Sequence, residues 1–341
     1  MPWARARRAA ALVGALFGAA ASAEPCSTAA CSLSTRTDDG RIAARRFVVD
    51  ISYRLLDQDQ RMYRHSPLVV SGASEPEVLR PLVDYAAGRF LPGYHHDWGT
   101  RASLLQVDVG YGLSSRLGLL ASLPVWTDRT TDHLYFPGAG PANHSASSAG
   151  ISRVDLRTGG FGDAQLALRY AATPRLLASL AVRAPTGPYR RKDESGQIAD
   201  PMVQSGTGAW GVLGSVQYGG AWAALATGWA VSAAYQRSFT NDLGYRYGDE
   251  LFLTSRASRR VAGPVTATLQ AKAYRAARNV FLGQPSPSTG TLAVYVGPGL
   301  RWAAPGAVGV YANVQIPVYQ HVNESQLAVH TVLQLGLSRT F

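Results

Sequence analysis

Residues 47–55 read Phe-Val-Val-Asp-Ile-Ser-Tyr-Arg-Leu, with Phe47, Val49, Ile51, Tyr53 and Leu55 on one parity and Asp50, Ser52 and Arg54 on the other. Successive side chains of an extended strand point to opposite faces, so this stretch has one apolar and one polar face. The pattern returns along the chain. Leu105, Val107, Val109 and Tyr111 oppose Gln106 and Asp108, and Val265, Ala267, Leu269 and Ala271 oppose Thr266, Thr268, Gln270 and Lys272. Twelve segments carry it, at 46–58, 100–112, 117–128, 162–172, 175–185, 208–218, 222–238, 249–261, 265–275, 291–303, 308–319 and 328–341. Most are longer than the roughly five or six residues of a globular strand and match the ~10 that cross a bilayer at a tilt.

The connections divide by length. After the even-numbered segments they are Ser114-Ser115-Arg116, Thr173-Pro174, Gly219-Gly220-Ala221, Ala262-Gly263-Pro264 and Ala304-Pro305-Gly306-Ala307, whereas those after odd segments are mostly longer. This alternation predicts an all-β fold, a closed antiparallel transmembrane β-barrel of about 12 strands with short periplasmic turns and longer extracellular loops. Closure follows from the backbone: in hydrocarbon every strand N–H and C=O needs a partner, so a sheet that spans must have no edge. An even strand number places both ends of the barrel on the periplasmic side. Residues 221–234, rich in Ala and Trp, also read as a buried helix, and Arg256, Arg259 and Arg260 blur the faces of the eighth segment.

Composition agrees. The 341 residues are 16% charged, below the ~25% of soluble domains, with a formal net charge of +11. No apolar run reaches the ~20 residues of a spanning helix, and the apolar content argues against disorder.

Three regions are expected. Met1–Ala23 reads as a signal peptide: Arg5, Arg7 and Arg8, an apolar stretch from Ala9 to Ala20, then Ala21-Ser22-Ala23 at the cleavage site. Residues 24–45 form a periplasmic segment containing Cys26 and Cys31, the only cysteines, expected to pair as a disulfide in an oxidising compartment. Metal capture is the alternative use of that pair. Residues 46–341 form the barrel.

The chain ends at Phe341, with Leu337, Leu335 and Leu333 on its parity opposite Ser338, Gly336 and Gln334. This resembles the C-terminal signature of Gram-negative outer-membrane barrels, which implies that Phe341 serves recognition by the outer-membrane assembly machinery. Arg339 departs from the apolar residue expected there, and its guanidinium can snorkel to the headgroups.

Gly160-Phe161-Gly162-Asp163 leading into Leu168-Arg169-Tyr170, then Ala184-Pro185-Thr186-Gly187, and Val310–Asn323 (VYANVQIPVYQHVN) together resemble a transporter-like family of proteobacterial outer-membrane proteins, of the meta-pathway phenol-degradation type. The resemblance covers most of residues 46–341. It implies a barrel for passage of small, including aromatic, compounds, and supplies no catalytic residues.

By parity the inward face carries Asp50, Arg54, Asp108, Arg169, Arg183 and Lys272, in which cations outnumber acids. The plain reading is a wet lumen whose charges pair with one another; the sharper one is a narrow pore that prefers anions. Twelve strands lie between the ~8 that side chains fill and the 16 or more that leave an open channel. His65, His95, His96, His133, His144 and His321 are expected in extracellular loops, where polar composition accounts for them without a metal. An enzyme needs a nucleophile and base in reach, and His330 has only Ala328 and Val332 as same-face neighbours, so no catalytic residue, cofactor or metal ligand is assigned. An outer-membrane hydrolase, or an adhesion barrel acting through its loops, is the alternative. The expected partners are membrane lipid, lipopolysaccharide and a small solute. Dispersed basic residues without a concentrated patch do not indicate nucleic acid.

Overall fold

A computed structural model describes residues 41–67, 80–136, 152–193 and 196–341. The expected signal peptide, Met1–Ala23, and Cys26, Cys31 and His144 lie outside the described residues. Twelve strands form the barrel: β1 (Phe47–Gln58), β2 (Arg89–Gly112), β3 (Leu117–Phe136), β4 (Gln165–Ala171), β5 (Leu176–Arg183), β6 (Gly211–Trp222), β7 (Thr227–Ser238), β8 (Glu250–Ala262), β9 (Val265–Ala276), β10 (Thr291–Ala304), β11 (Val308–Val322) and β12 (Thr331–Thr340). Each pairs antiparallel with its chain neighbours, and β1 pairs with β12 as well as β2, which closes the ring. The strand at Arg80–Asp84 pairs with the outer part of β2, and that at Ser152–Gly160 with the outer part of β3.

Alternation sorts the surface. On β1, Ile51, Tyr53 and Leu55 are exposed while Asp50, Ser52 and Arg54 are buried. This inverts a soluble protein, in which the apolar face is the buried one, and suits a wall with lipid outside and polar groups within. Exposed aromatics collect at both ends of the wall. Phe47, Trp222 and Trp302 sit near the short turns, and Trp126, Trp210 and Tyr319 near the long loops. These are the two interfacial girdles of an outer-membrane barrel. The interior is not uniformly polar, since Leu56, Leu213, Phe252, Tyr274 and Ala293 belong to one buried apolar cluster.

Two expectations need correction. The turn between β6 and β7 is not Gly219-Gly220-Ala221; the chain turns at Ala223–Leu225, with Ala226 left-handed at φ 46°. Gly219 stays in the strand because a Cβ there would lie 2.8 Å from the Trp229 carbonyl, so this glycine permits close pairing. The segment that also read as a helix is strand from Thr227 to Ser238, as its place among the twelve segments predicts. Finally, β2 and β3 run 24 and 20 residues, far beyond the expected segments, and carry His95, His96 and His133 out of the loops into strands. That outer ladder is held by backbone pairing, His96 opposite Leu134 and Asp97 opposite His133, without a continued alternation of faces to reveal it.

At the periplasmic end, residues 41–45 lie against the inside of the wall, from the end of β2 to the β4–β5 turn. Arg41 donates to the Thr173 carbonyl at 2.6 Å, and Arg45 N donates to the Gly112 carbonyl at 2.7 Å. Gly110 and Gly112 admit this segment: a Cβ on the first would lie 2.4 Å from Ile42 Cδ1, and one on the second 2.0 Å from the Ala43 carbonyl oxygen.

Candidate functional site: the constricted lumen

Asp50, Arg54, Asp108, Arg169, Arg183 and Lys272 are all buried, at 3–8% exposure. They are spread over several strands rather than gathered in one cluster. Asp50 and Asp108 are register partners on β1 and β2; the first accepts from Tyr311 Oη at 2.8 Å and the second from Gln106 Nε2 at 2.7 Å. Lys272 Nζ lies 5.1 Å from the Tyr295 ring centroid, a cation–π distance. Arg183 donates to Ser238 Oγ at 2.8 Å, with Nε 3.8 Å from Asp163. Arg169 is on β4, two residues before that strand ends.

Two buried acids escaped the sequence reading. Glu250 accepts from Gln236 Nε2 at 2.8 Å and Tyr274 Oη at 2.6 Å. Asp163, just ahead of β4, takes Gly187 N on one oxygen at 3.0 Å and Thr207 N and Oγ1 on the other at 2.9 and 2.5 Å. With them the fully buried charges among the described residues balance, Asp50, Asp108, Asp163 and Glu250 against Arg54, Arg169, Arg183 and Lys272, which removes the cation excess read from parity. Half-buried Arg129, Arg256 and Arg301, set against half-buried Asp128 beside the first, leave a positive margin: Arg129 and Arg301 bond to lumen groups, and Arg256 pairs in register with buried Gln270. The quoted Gly160–Asp163 motif was the only sequence signal for Asp163.

The described parts of the connection from β5 to β6, residues 184–193 and 196–210, fold back into the mouth. Asp163 pins both of its limbs, and Gly187 and Gly206 touch where a Cβ on Gly206 would come within 2.2 Å of the Gly187 carbonyl oxygen. At its tip is a 3-10 turn, Pro201–Val203, capped by Asp200, whose Oδ1 accepts from Met202 N at 2.8 Å. Arg129 donates to the Met202 carbonyl, Thr158 to the Val203 carbonyl, and Tyr247 Oη to the Pro201 carbonyl at 2.6 Å. Val203 is thereby 4% exposed. Between this tip and the wall lies a cavity lined by Arg54, Leu56, Leu104, Arg129, Thr158 and Val203. It offers about 50 Å³ to water centres, room for roughly three to five waters.

Many buried polar atoms in the lumen have no protein partner, among them Arg54 Nε and Nη2, Gln106 Oε1, both amide atoms of Gln165, Gln315 Oε1 and Gln334 Oε1. Leaving such groups dry would cost about 1–3 kcal/mol each.

His65 and His321 rings stack at 6.4 Å between centroids, and exposed His330 lies 3.2 Å from Asp59 at the outer rim. Among the described residues no three His, Cys, Asp or Glu side chains converge.

Residues 90–321 match the model of a protein family described as "Putative MetA-pathway of phenol degradation". No curated protein matches the sequence. Among solved structures, an outer-membrane channel from Pseudomonas putida F1 superposes with a TM-score of 0.58, covering 90% of this chain and 100% of that one at 13% identity. The toluene transporter TbuX of Ralstonia pickettii and a FadL homologue of Pseudomonas aeruginosa give 0.42 and 0.41, each at 10% identity and 90% of its own length, over 88% and 86% of this chain. At these identities the likeness bears on the fold alone.

Proposed function

Since the chain belongs to the MetA-pathway phenol-degradation family and folds as an outer-membrane β-barrel, we propose that it is a narrow channel for small organic solutes. The observation that carries this is the polar interior of the closed barrel, where Asp50, Arg54, Asp108, Arg169, Arg183 and Lys272 are buried on the face away from lipid. Polar interiors of this kind are the lumens of outer-membrane barrels.

The path is selective because it is tight. Pro201–Val203 narrows it from outside, and residues 41–45 from the periplasmic side. The family's phenol-degradation description and the similar outer-membrane channel of Pseudomonas putida F1 support small and aromatic cargo. No catalytic role is assigned: His330 and Asp59 are exposed at the rim, with no nucleophile among their recorded contacts.

Three parts of the reading rest on sequence. Cleavage after Ala23 and a Cys26–Cys31 disulfide suit export, and Phe341 serves as the assembly signal. Exposed Arg at the outer rim suits lipopolysaccharide.

The test is swelling of liposomes containing the purified protein, in a panel of sugars, benzoate, phenol and phosphate. Swelling with small solutes and none with disaccharides is expected; no swelling with any solute ends the channel reading.

A further inference from the structure

The two ends of the barrel are charged differently. At the outer end acids accompany the basic residues, with Asp84 beside Arg89 at 3.7 Å, Asp128 beside Arg157 at 2.8 Å and Asp249 beside both Arg237 and Arg246. At the periplasmic end Arg45, Arg46, Arg116, Arg175, Arg259, Arg260 and Arg339 are all exposed. Among the described residues no Asp or Glu lies in residues 41–46, in the five short turns or within three residues of them. The first acids inward, Asp50 and Asp108, are buried on the lumen face and engaged by Tyr311 and Gln106. None of the seven arginines forms an ion pair among the described residues.

This belt of arginines sits at the inner aromatic girdle and reaches its lipid side. Arg339 has the parity of exposed Leu335, Leu337 and Phe341, and its guanidinium carbon lies 4.7 Å from the Phe341 ring centroid. Arg259 has the parity of exposed Leu251, Leu253 and Val261, and its register partner Thr227 is the first residue of β7, which sets it at the membrane boundary. Both side chains therefore leave the wall on the lipid face. Arg46 adjoins exposed Phe47, and Arg116 and Arg175 stand in the β2–β3 and β4–β5 turns. The charges are thus spread around the rim instead of gathered on one side. An arginine at such a boundary lays its stem along apolar surface and keeps its head among polar groups.

We propose that this belt binds the anionic headgroups of phospholipids in the periplasmic leaflet. A phosphodiester presents two free oxygens to the guanidinium fork, and an anionic membrane surface attracts each basic residue held close to it. A zwitterionic headgroup offers the same phosphate but brings an ammonium with it, so the belt selects headgroups of net negative charge. Two placements favour lipid over a soluble acidic partner. Arg259 and Arg339 face lipid, where a protein docking from the periplasm does not reach, and a belt around the rim matches molecules that surround the barrel, whereas a protein covers one side.

Spin-labelled phosphatidylglycerol and phosphatidylcholine, each a trace in phosphatidylcholine bilayers holding the folded protein, report the share of lipid immobilised at the barrel. Phosphatidylglycerol is expected to associate at least threefold more strongly in 0.1 M salt, and the ratio should fall in 1 M salt as the charges are screened. Replacing Arg45, Arg46, Arg116 and Arg175 by Gln should at least halve the preference, and adding Arg259→Gln and Arg339→Gln should abolish it. Arg89→Gln with Arg237→Gln, at the outer end, should leave it unchanged. If the sixfold variant does not fold, Arg116→Gln with Arg175→Gln decides through a partial loss. Equal association of the two lipids, or a preference kept in the folded variants, overturns the belt. Inorganic phosphate at about 10 mM should leave the ratio unchanged; collapse of the ratio would assign the belt to the free anion and overturn the lipid. Polyglutamate bound by the detergent-solubilised protein, without lipid preference in bilayers, would overturn it in favour of an acidic protein.

Discussion

Tyr311 on β11 reaches across β12 to hydrogen-bond Asp50 on β1 at 2.8 Å, and it crosses at Gly336. A Cβ on Gly336 would lie 2.1 Å from Tyr311 Cζ, so the absent side chain is what lets the ring lie flat over the strand between. Arg301 repeats the device one strand back, crossing Gly309 to donate to Ser338 at 3.0 Å. Lumen side chains thus stitch β11 to β1 and β10 to β12 across the strand between.

Gly336→Ala should therefore displace Tyr311 and break its bond, costing about 1–3 kcal/mol, the usual range for overpacking. Tyr311→Phe removes the same bond to a charged acceptor for about 1.5–3 kcal/mol. The double variant should cost clearly less than the sum, since both act on one contact. Thermal unfolding followed by gel mobility in detergent measures all three; additive losses would mean that the glycine and the tyrosine act separately.

Asp163 governs the inward loop. Three hydrogen bonds from Gly187 and Thr207 and the nearby Arg183 depend on this buried carboxylate. Asp163→Ala strips all of them and leaves a buried cation, a loss of about 3–5 kcal/mol that falls on the loop rather than on the barrel ladder. Limited proteolysis should then cut within residues 184–210, and single-channel conductance should rise as Val203 leaves the mouth. Intact loops and unchanged conductance would show that the wall alone sets the bore.

The barrel was legible because its strands obey two constraints at once, lipid on one face and water on the other, which writes a period of two into sequences such as 47–55. The outer halves of β2 and β3 answer to neither constraint, and so His95, His96 and His133 were misplaced. Lumen charges on strands could be read by parity. Asp163 precedes its strand and Glu250 begins one, where parity is weakest. The inward course of Pro201-Met202-Val203 depends on Arg129 and Thr158, more than forty residues away, and no local pattern records it.

Ion selectivity tests the lumen charge. Fully buried charges cancel, so the preference for anions rests on Arg129, Arg256 and Arg301. Reversal potentials in a potassium chloride gradient should indicate chloride preference, reduced in Arg256→Gln and Arg301→Gln. The preference should shrink from 0.1 M to 1 M salt as the screening length falls from ~10 to ~3 Å. Cation preference in the unaltered protein would overturn the assignment.

The periplasmic opening can be probed without touching the barrel ladder. Gly110→Val places methyls where Ile42 Cδ1 lies, and should expel residues 41–45 from the opening. Conductance should rise, and Ile42→Asp should raise it likewise by removing the apolar contact. No change in either variant would mean that the narrowest point lies elsewhere, at Val203.

Acid should loosen the outer rim before the barrel. Glu324, in the β11–β12 connection, is partly desolvated, which alone would raise its pKa, but hydrogen bonds from Arg278 and Ser288 N outweigh this and hold it below the usual carboxylate range. A depressed carboxyl stabilises fully above its unfolded value, about 4.3, and that contribution is lost as pH falls through the lower folded value. Residues 277–290, tied to Glu324 through Arg278 and Ser288, should keep their protease resistance at pH 5 and lose it progressively below pH ~4. Glu324→Gln should show the looser state already at neutral pH, with no further acid step. The half-exposed pair makes the effect small and salt-sensitive, so the informative reading is the difference in pH profile between the two proteins; identical profiles would place the acid response in another group.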